Sequence, residues 1–168
     1  MSIADAVARA RAYLTDHPRE ARYRDAHASA RLGTGLLVEV EGPGGESLRT
    51  DMPRGIGGTG TLPSPGWYLR AAAASCVASM IAIRAATLGL RLAPGSVEVV
   101  VDSESDDRGI LGLDDGVPAG ALSVKITVQI DAPGVPAEQI HEIGQWAVDH
   151  CPVTEGLRRA VPLELELP

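Results

Sequence analysis

The chain has two cysteines and no more. Cys76 lies within a long apolar stretch, SPGWYLRAAAASCVASMIAIRAATLGL, and Cys151 opens the tripeptide CPV. They are 151 − 76 = 75 residues apart, so only the fold can bring them together. A thiolate is a nucleophile, and a pair of nearby thiols can pass from thiolate through sulfenic acid to disulfide. The plainer reading is two buried structural thiols, since free cysteine is among the most buried residue types. On these residues alone both readings stay open.

Other chemistries find less support. His150 beside Cys151 raises the question of zinc, which needs four ligands at suitable spacing. Two cysteines with His17, His27, His141 and His150, and no CxxC or HxxxH, do not supply that pattern, so neither metal nor cofactor is expected. The glycines of GIGGTG precede a Pro-rich segment and do not lead from a buried strand into a helix, so they make no phosphate loop. A formal net charge of −7 argues against a nucleic-acid partner. The basic cluster Arg9, Arg11, Arg19, Arg22 and Arg24 is interrupted by acids and reads as a solvated helix and loop.

The first residues, MSIADAVARARAYL, carry early charges and lack an apolar signal core. Arg70 and Arg84 interrupt the most apolar segment, so no membrane span is expected. The reading is a soluble, cytoplasmic protein. In that compartment a cysteine pair is more often catalytic, redox-sensing or metal-binding than a permanent disulfide.

The elements that must position the thiols follow from pattern. A chain of 168 residues makes one domain the default. Residues 2–16 read as an amphipathic helix capped by Ser2 and ended by Pro18. The stretch 29–41 reads as a strand, GPGG at 42–45 as a turn and 46–52 as the returning strand of a hairpin. Residues 53–65 are too rich in Gly and Pro for regular structure and form a loop that suits a site cover. Ser64-Pro65 starts a helix running to Leu88, with Gly89 closing it. Being apolar on nearly every face, that helix is expected to be buried along most of its length.

Beyond it, 96–105 and 121–131 read as strands joined by an irregular connection over 106–120. Residues 137–150 form an amphipathic helix with Ile140, Ile143, Ala147 and Val148 inward. A short helix follows Cys151-Pro152, and VPLELELP reads as a closing strand. The expected class is α+β with antiparallel sheet.

Three stretches together resemble the OsmC/Ohr family of thiol-dependent hydroperoxide reductases and their relatives. IGGTGTLPSPGWYL resembles its Gly-Gly loop and Ser-Pro helix start, AAAASCVASM its cysteine-bearing helix, and HCPV its second cysteine motif. The resemblance covers residues 29–168 and leaves 1–28 as an N-terminal helical extension. It implies an intertwined homodimer, with antiparallel sheets wrapped around long, buried central helices. It further implies that the Cys76 thiolate attacks an organic hydroperoxide, that Cys151 resolves the sulfenic acid, and that a dithiol reductant resets the pair. Trp67 and Tyr68 become candidates for an apolar substrate entrance.

The chain departs from the family at one place. The resemblance implies a Glu ten residues before the helical cysteine, holding an Arg from the N-terminal hairpin against the thiol. Here that position is Gly66. Arg31, Arg49 and Arg54 are the candidates for the activating Arg. Arg70 is on the same helix but about 120° round from Cys76, and reads as snorkelling or pairing with an acid rather than activating the sulfur. The departure keeps a second class open: a family member without peroxidase activity that binds a small apolar ligand or acts as a redox sensor.

Overall fold

A computed structural model describes residues 1–167. The chain forms two compact units. One comprises Arg9–Leu69, the other Met1–Ala8 with Arg70–Pro168.

The first helix, α1, spans Ile3–Asp16. Its start is a reciprocal cap: the Ser2 hydroxyl accepts from the Asp5 N–H, and the Asp5 carboxylate accepts from the Ser2 N–H. It buries none of its residues.

Three short strands follow in the Arg9–Leu69 unit: β1 (Ser29–Leu32), β2 (Val38–Glu41) and β3 (Ser47–Thr50). They form an antiparallel sheet in sequential order, with Leu32 opposite Val38 and Val40 opposite Leu48. The single strand expected over 29–41 is therefore two strands and a turn. The Gly33 N–H closes that turn on the Leu37 carbonyl at 2.8 Å. Gly35 supplies the left-handed residue (φ 64°) that the reversal needs. A TG dipeptide inside an apolar run carries a weaker turn signal than GPGG, which is why the break is hard to read from sequence.

The helix α2 spans Pro65–Thr87. Ser64 caps it, its hydroxyl accepting from the Trp67 N–H at 3.2 Å. At the other end the Leu90 N–H reaches the Ala85 carbonyl and the Gly89 N–H reaches that of Ala86, with Gly89 at φ 75°. These two bonds close the helix in the Schellman manner. The expectation of near-complete burial does not hold for the single chain. Only the stripe Ala73, Val77, Ile81 and Ala85 is buried, at spacings of four residues. Leu69, Ala72, Ser75 and Ser79 face outward. The reason is that one chain packs one side of this helix.

In the second unit, β4 (Val97–Glu104) pairs antiparallel with β5 (Ser123–Ile130). Val97, Val99 and Val101 oppose Ile130, Val128 and Ile126 on the inward face, while Asp102 stands opposite Lys125 on the outward face. Within the 106–120 connection a single turn of helix forms, α3 (Asp107–Ile110), capped by the Asp106 carboxylate on the Arg108 N–H.

Helices α4 (Ala137–Asp149) and α5 (Pro152–Arg158) complete the unit. Ile143 and Ala147 of α4 are buried, and Ile140 and Val148 are half-buried. The core consists of Val77, Ile81, Ala85, Ile143, Ala147 and Cys151, with Val97, Val99, Val128 and Ile130 of the sheet packed against it.

The closing strand does not form. Residues 160–167 carry no regular structure, and Leu163, Leu165 and Leu167 are 89%, 77% and 81% exposed. Their alternation suits a strand, but no strand among the described residues pairs with them. Pro168, the last residue of that expected strand, lies outside the described residues.

By length and composition α2 passes as a membrane span. Its two arginines are engaged within the fold, however. Arg70 donates to the Ser103 hydroxyl at 3.1 Å, and Arg84 pairs with Glu142 and lies 5.2 Å over the Trp146 ring. With its buried stripe in the core cluster, α2 is the core helix of this unit.

Candidate functional site

The fold brings the two cysteines together. Cys76 sits midway along α2, one residue from the buried Val77, and is half-buried. Cys151 sits at the junction of α4 and α5 and is fully buried. Both are free thiols. Cys76 packs against the cluster that contains Cys151, near enough that each thiol influences the ionisation of the other.

Their environments push them apart. Burial raises the Cys76 thiol, and the neighbouring Cys151 raises it further, against a smaller opposing effect of the Val153 N–H. Burial also pushes Cys151 up. There the Cys76 thiol, the N–H groups of Thr154 and Val153 and the Thr154 hydroxyl outweigh it, and the thiol falls below its ordinary value. The Cys151 sulfur closes no regular side-chain cap on α5, so these donors act at longer range. A mid-helix cysteine such as Cys76 has no comparable N–H groups, because the helix uses them internally. The surroundings thus favour the thiol form at Cys76 and ease ionisation at Cys151.

The junction that carries Cys151 is tightly held. Thr154 is 3% exposed. Its hydroxyl donates to the Val148 carbonyl at 2.6 Å and lies 3.0 Å from the Cys151 carbonyl oxygen. On the outer side, Arg84 of α2 grips Glu142 of α4, and Trp146 stacks on His150 with centroids 4.2 Å apart. The His150 Nδ1 lies 2.9 Å from the Trp146 carbonyl. His17, His27, His141 and His150 are all exposed, and no group of three metal-ligating side chains occurs among the described residues.

The remaining candidate residues lie in the Arg9–Leu69 unit. Trp67 and Tyr68 stand edge to face with centroids 5.2 Å apart. The Tyr68 hydroxyl donates to the Arg49 carbonyl at 3.2 Å, tying the first turn of α2 to β3. Arg31 is paired with Glu41 on the exposed sheet. Arg54 is held through its Nε, which donates to the Thr59 carbonyl at 2.9 Å. Gly66 is exposed.

One residue that pattern reading passes over organises this loop. Asp51 is 1% exposed and accepts from the Thr59 hydroxyl (2.5 Å), the Thr59 N–H (2.9 Å), the Met52 N–H (2.8 Å) and the Thr61 N–H (3.4 Å). The Thr59 hydroxyl foremost, with these N–H groups, holds the Asp51 carboxyl below the usual range against the effect of burial. A Cβ at Gly58 would collide with the Met52 carbonyl, so the loop is closed on itself. The signal for it in the sequence is an Asp ending a strand, followed by a glycine-rich run carrying threonines.

The fold is α+β with two antiparallel sheets, and it carries one cysteine on its core helix and the other at a helix junction packed in the same cluster. The OsmC-like protein family model matches residues 58–166, and the chain belongs to that family. No curated protein matches the chain. Among solved structures, it is similar to an organic hydroperoxide resistance protein OsmC from Legionella pneumophila (20% identity, TM-score 0.60, covering 82% of this chain and 91% of that one). It is also similar to an organic hydroperoxide resistance protein from Elizabethkingia anophelis (18%, TM-score 0.63, 82% and 90%). A third is an OsmC-like protein from Mycoplasma pneumoniae (14%, TM-score 0.68, 82% and 89%). At these identities the likeness shows the fold.

Proposed function

We propose that this protein is a thiol-dependent peroxidase that reduces organic hydroperoxides through Cys76 and Cys151. The observation that carries the reading is that the fold packs Cys76 against the cluster holding Cys151, 75 residues away, in a chain with no other cysteine. The accessible partner, Cys76, is the nucleophile. Its thiolate attacks the terminal peroxide oxygen, the O–O bond breaks, and the alkoxide leaves and takes a proton as the alcohol. Cys76 is left as sulfenic acid. The Cys151 thiolate then attacks the Cys76 sulfur, expelling hydroxide, and a disulfide forms. A dithiol reductant returns the pair to thiols.

Trp67 and Tyr68 serve as the apolar entrance, and Arg31, Arg49 and Arg54 are the candidates for the cation that activates Cys76. Residues 29–168 form the working domain, residues 1–28 an extension. The working form is a homodimer, in which a second subunit covers the outward face of α2.

A second reading is favoured by a specific observation. Burial holds Cys76 above the ordinary thiol range, and the arginines of its own unit that lie on α2 are committed to Ser103 and Glu142. With Gly66 in place of the family Glu, the pair suits a slow redox sensor or an apolar ligand site. Stopped-flow oxidation of the reduced protein by an alkyl hydroperoxide decides between them. Fast loss of both thiols with disulfide formation supports the peroxidase. No reaction of the wild type or of Gly66→Glu at neutral pH supports the sensor or ligand reading.

A further inference from the structure

Thr154 is one of three buried polar residues among those described, and the chemistry of the thiols does not by itself call for it. Its place is explained by Pro152. In a helix each carbonyl accepts from the N–H four residues on. For Val148, in the last turn of α4, that residue is Pro152, which has no N–H. The Thr154 hydroxyl takes over, donating to the Val148 carbonyl at 2.6 Å. It also lies 3.0 Å from the Cys151 carbonyl, which the Glu155 N–H reaches at 2.9 Å. One buried hydroxyl thus spans the end of α4, the backbone of Cys151 and the first turn of α5.

We propose that Thr154 is the positioning residue of the thiol pair: it fixes the α4–α5 corner so that the Cys151 sulfur is held on Cys76. The other tie across the corner, Arg158 of α5 on Asp149 of α4 at 2.8 Å, lies on the exposed side and leaves the buried side to Thr154. The Cys151 side chain makes no cap on α5, and Pro152 removes the bond that would otherwise run α4 straight on. A valine at 154 keeps the shape but leaves the part-buried Val148 carbonyl without this donor, which favours opening of the corner to find another. A serine keeps the hydroxyl and should keep the geometry.

The inference rests on the two-thiol reading, and its test does not need a hydroperoxide. Reduced wild type, Thr154→Ser, Thr154→Val and Val101→Ala are equilibrated with mixtures of oxidised and reduced dithiothreitol. Cys76 and Cys151 give up two electrons and two protons to the dithiothreitol disulfide, and the disulfide-bonded fraction is read by mass after thiol alkylation. Val101 lies on the inward face of β4, outside the thiol contact, and its truncation controls for general loss of stability. Wild type, Thr154→Ser and Val101→Ala should share one equilibrium constant. Thr154→Val should lie about tenfold toward the dithiol, and should close the disulfide more slowly. Should Thr154→Val fail to fold, Thr154→Ala removes the hydroxyl with no added bulk and carries the same expectation. A Thr154→Val constant equal to wild type overturns the inference alone, as does an equal change in Val101→Ala. Failure of the wild type to form the disulfide at all overturns the two-thiol reading and this inference with it.

Discussion

Removing the thiol of either cysteine, Cys76 by alanine and Cys151 by serine, should change the other in opposite directions. The ordinary thiol pKa, with which both are compared, is 9.0. At pH 7 a thiol of that pKa is about 1% ionised, and below the pKa each pH step of one changes the ionised fraction about tenfold. Burial and Cys151 hold Cys76 above this reference, so it is less ionised at pH 7 than a free thiol. A well-activated nucleophile with a pKa near 7 would be about half ionised. Alkylation of Cys76 by iodoacetamide should therefore be slow at pH 7 and rise about tenfold per pH unit to beyond pH 9. Cys151→Ser removes the neighbour that raises Cys76 but leaves its burial. Alkylation at pH 7 should speed up, yet the midpoint should stay high. Cys76→Ala takes one stabilising donor from Cys151, whose pKa should rise while the N–H groups of Thr154 and Val153 remain. Site-resolved mass spectrometry across the pH range, with thiolate absorbance on each variant, reads both. A Cys76 rate in the wild type that levels off below about pH 8 would refute the raised Cys76 thiol and reveal an activating cation.

Ile81, fully buried in the α2 stripe, should cost about 2–5 kcal/mol on truncation to alanine, measured by denaturant unfolding. A loss under about 1 kcal/mol would show that the stripe is not the core. The homodimer should bury more than about 2,000 Å² in total, and a monomer by light scattering at micromolar concentration would contradict it. Asp51 has a depressed pKa, so its contribution to stability is present above the ordinary carboxyl value of 3.8 and lost as pH falls through the depressed one. Asp51→Asn should abolish that acid-limb loss and speed amide exchange at Thr59 and Thr61, and unchanged exchange would show that the carboxylate does not brace the loop.

Much of the fold is legible because it is local. Ser64-Pro65 and Gly89 set the ends of α2 through capping rules that need only neighbouring residues. Alternation locates β4 and β5, and the Cys-Pro step locates the start of α5. The turn inside 29–41 escapes pattern reading because its glycines sit in an otherwise continuous apolar run. Alternation also suggests a C-terminal strand, but alternation states a preference for one face, and pairing needs a neighbour that the described chain does not provide. Burial of α2 falls short of its composition for the same reason, since composition records how much apolar surface seeks cover and not which partner supplies it.

The sequence by itself determined the family, the number of thiols, the helices that carry them and the absence of the family Glu at position 66. Those are properties of residue type and short spacing. Only the tertiary structure decided that Cys76 packs against the cluster holding Cys151, that burial raises the Cys76 thiol, and that Asp51 and Thr154 hydrogen-bond the backbone around them. Each of those depends on atoms brought together from separate segments, or on which of several donors a buried group reaches. Spacing along the chain does not record such distances.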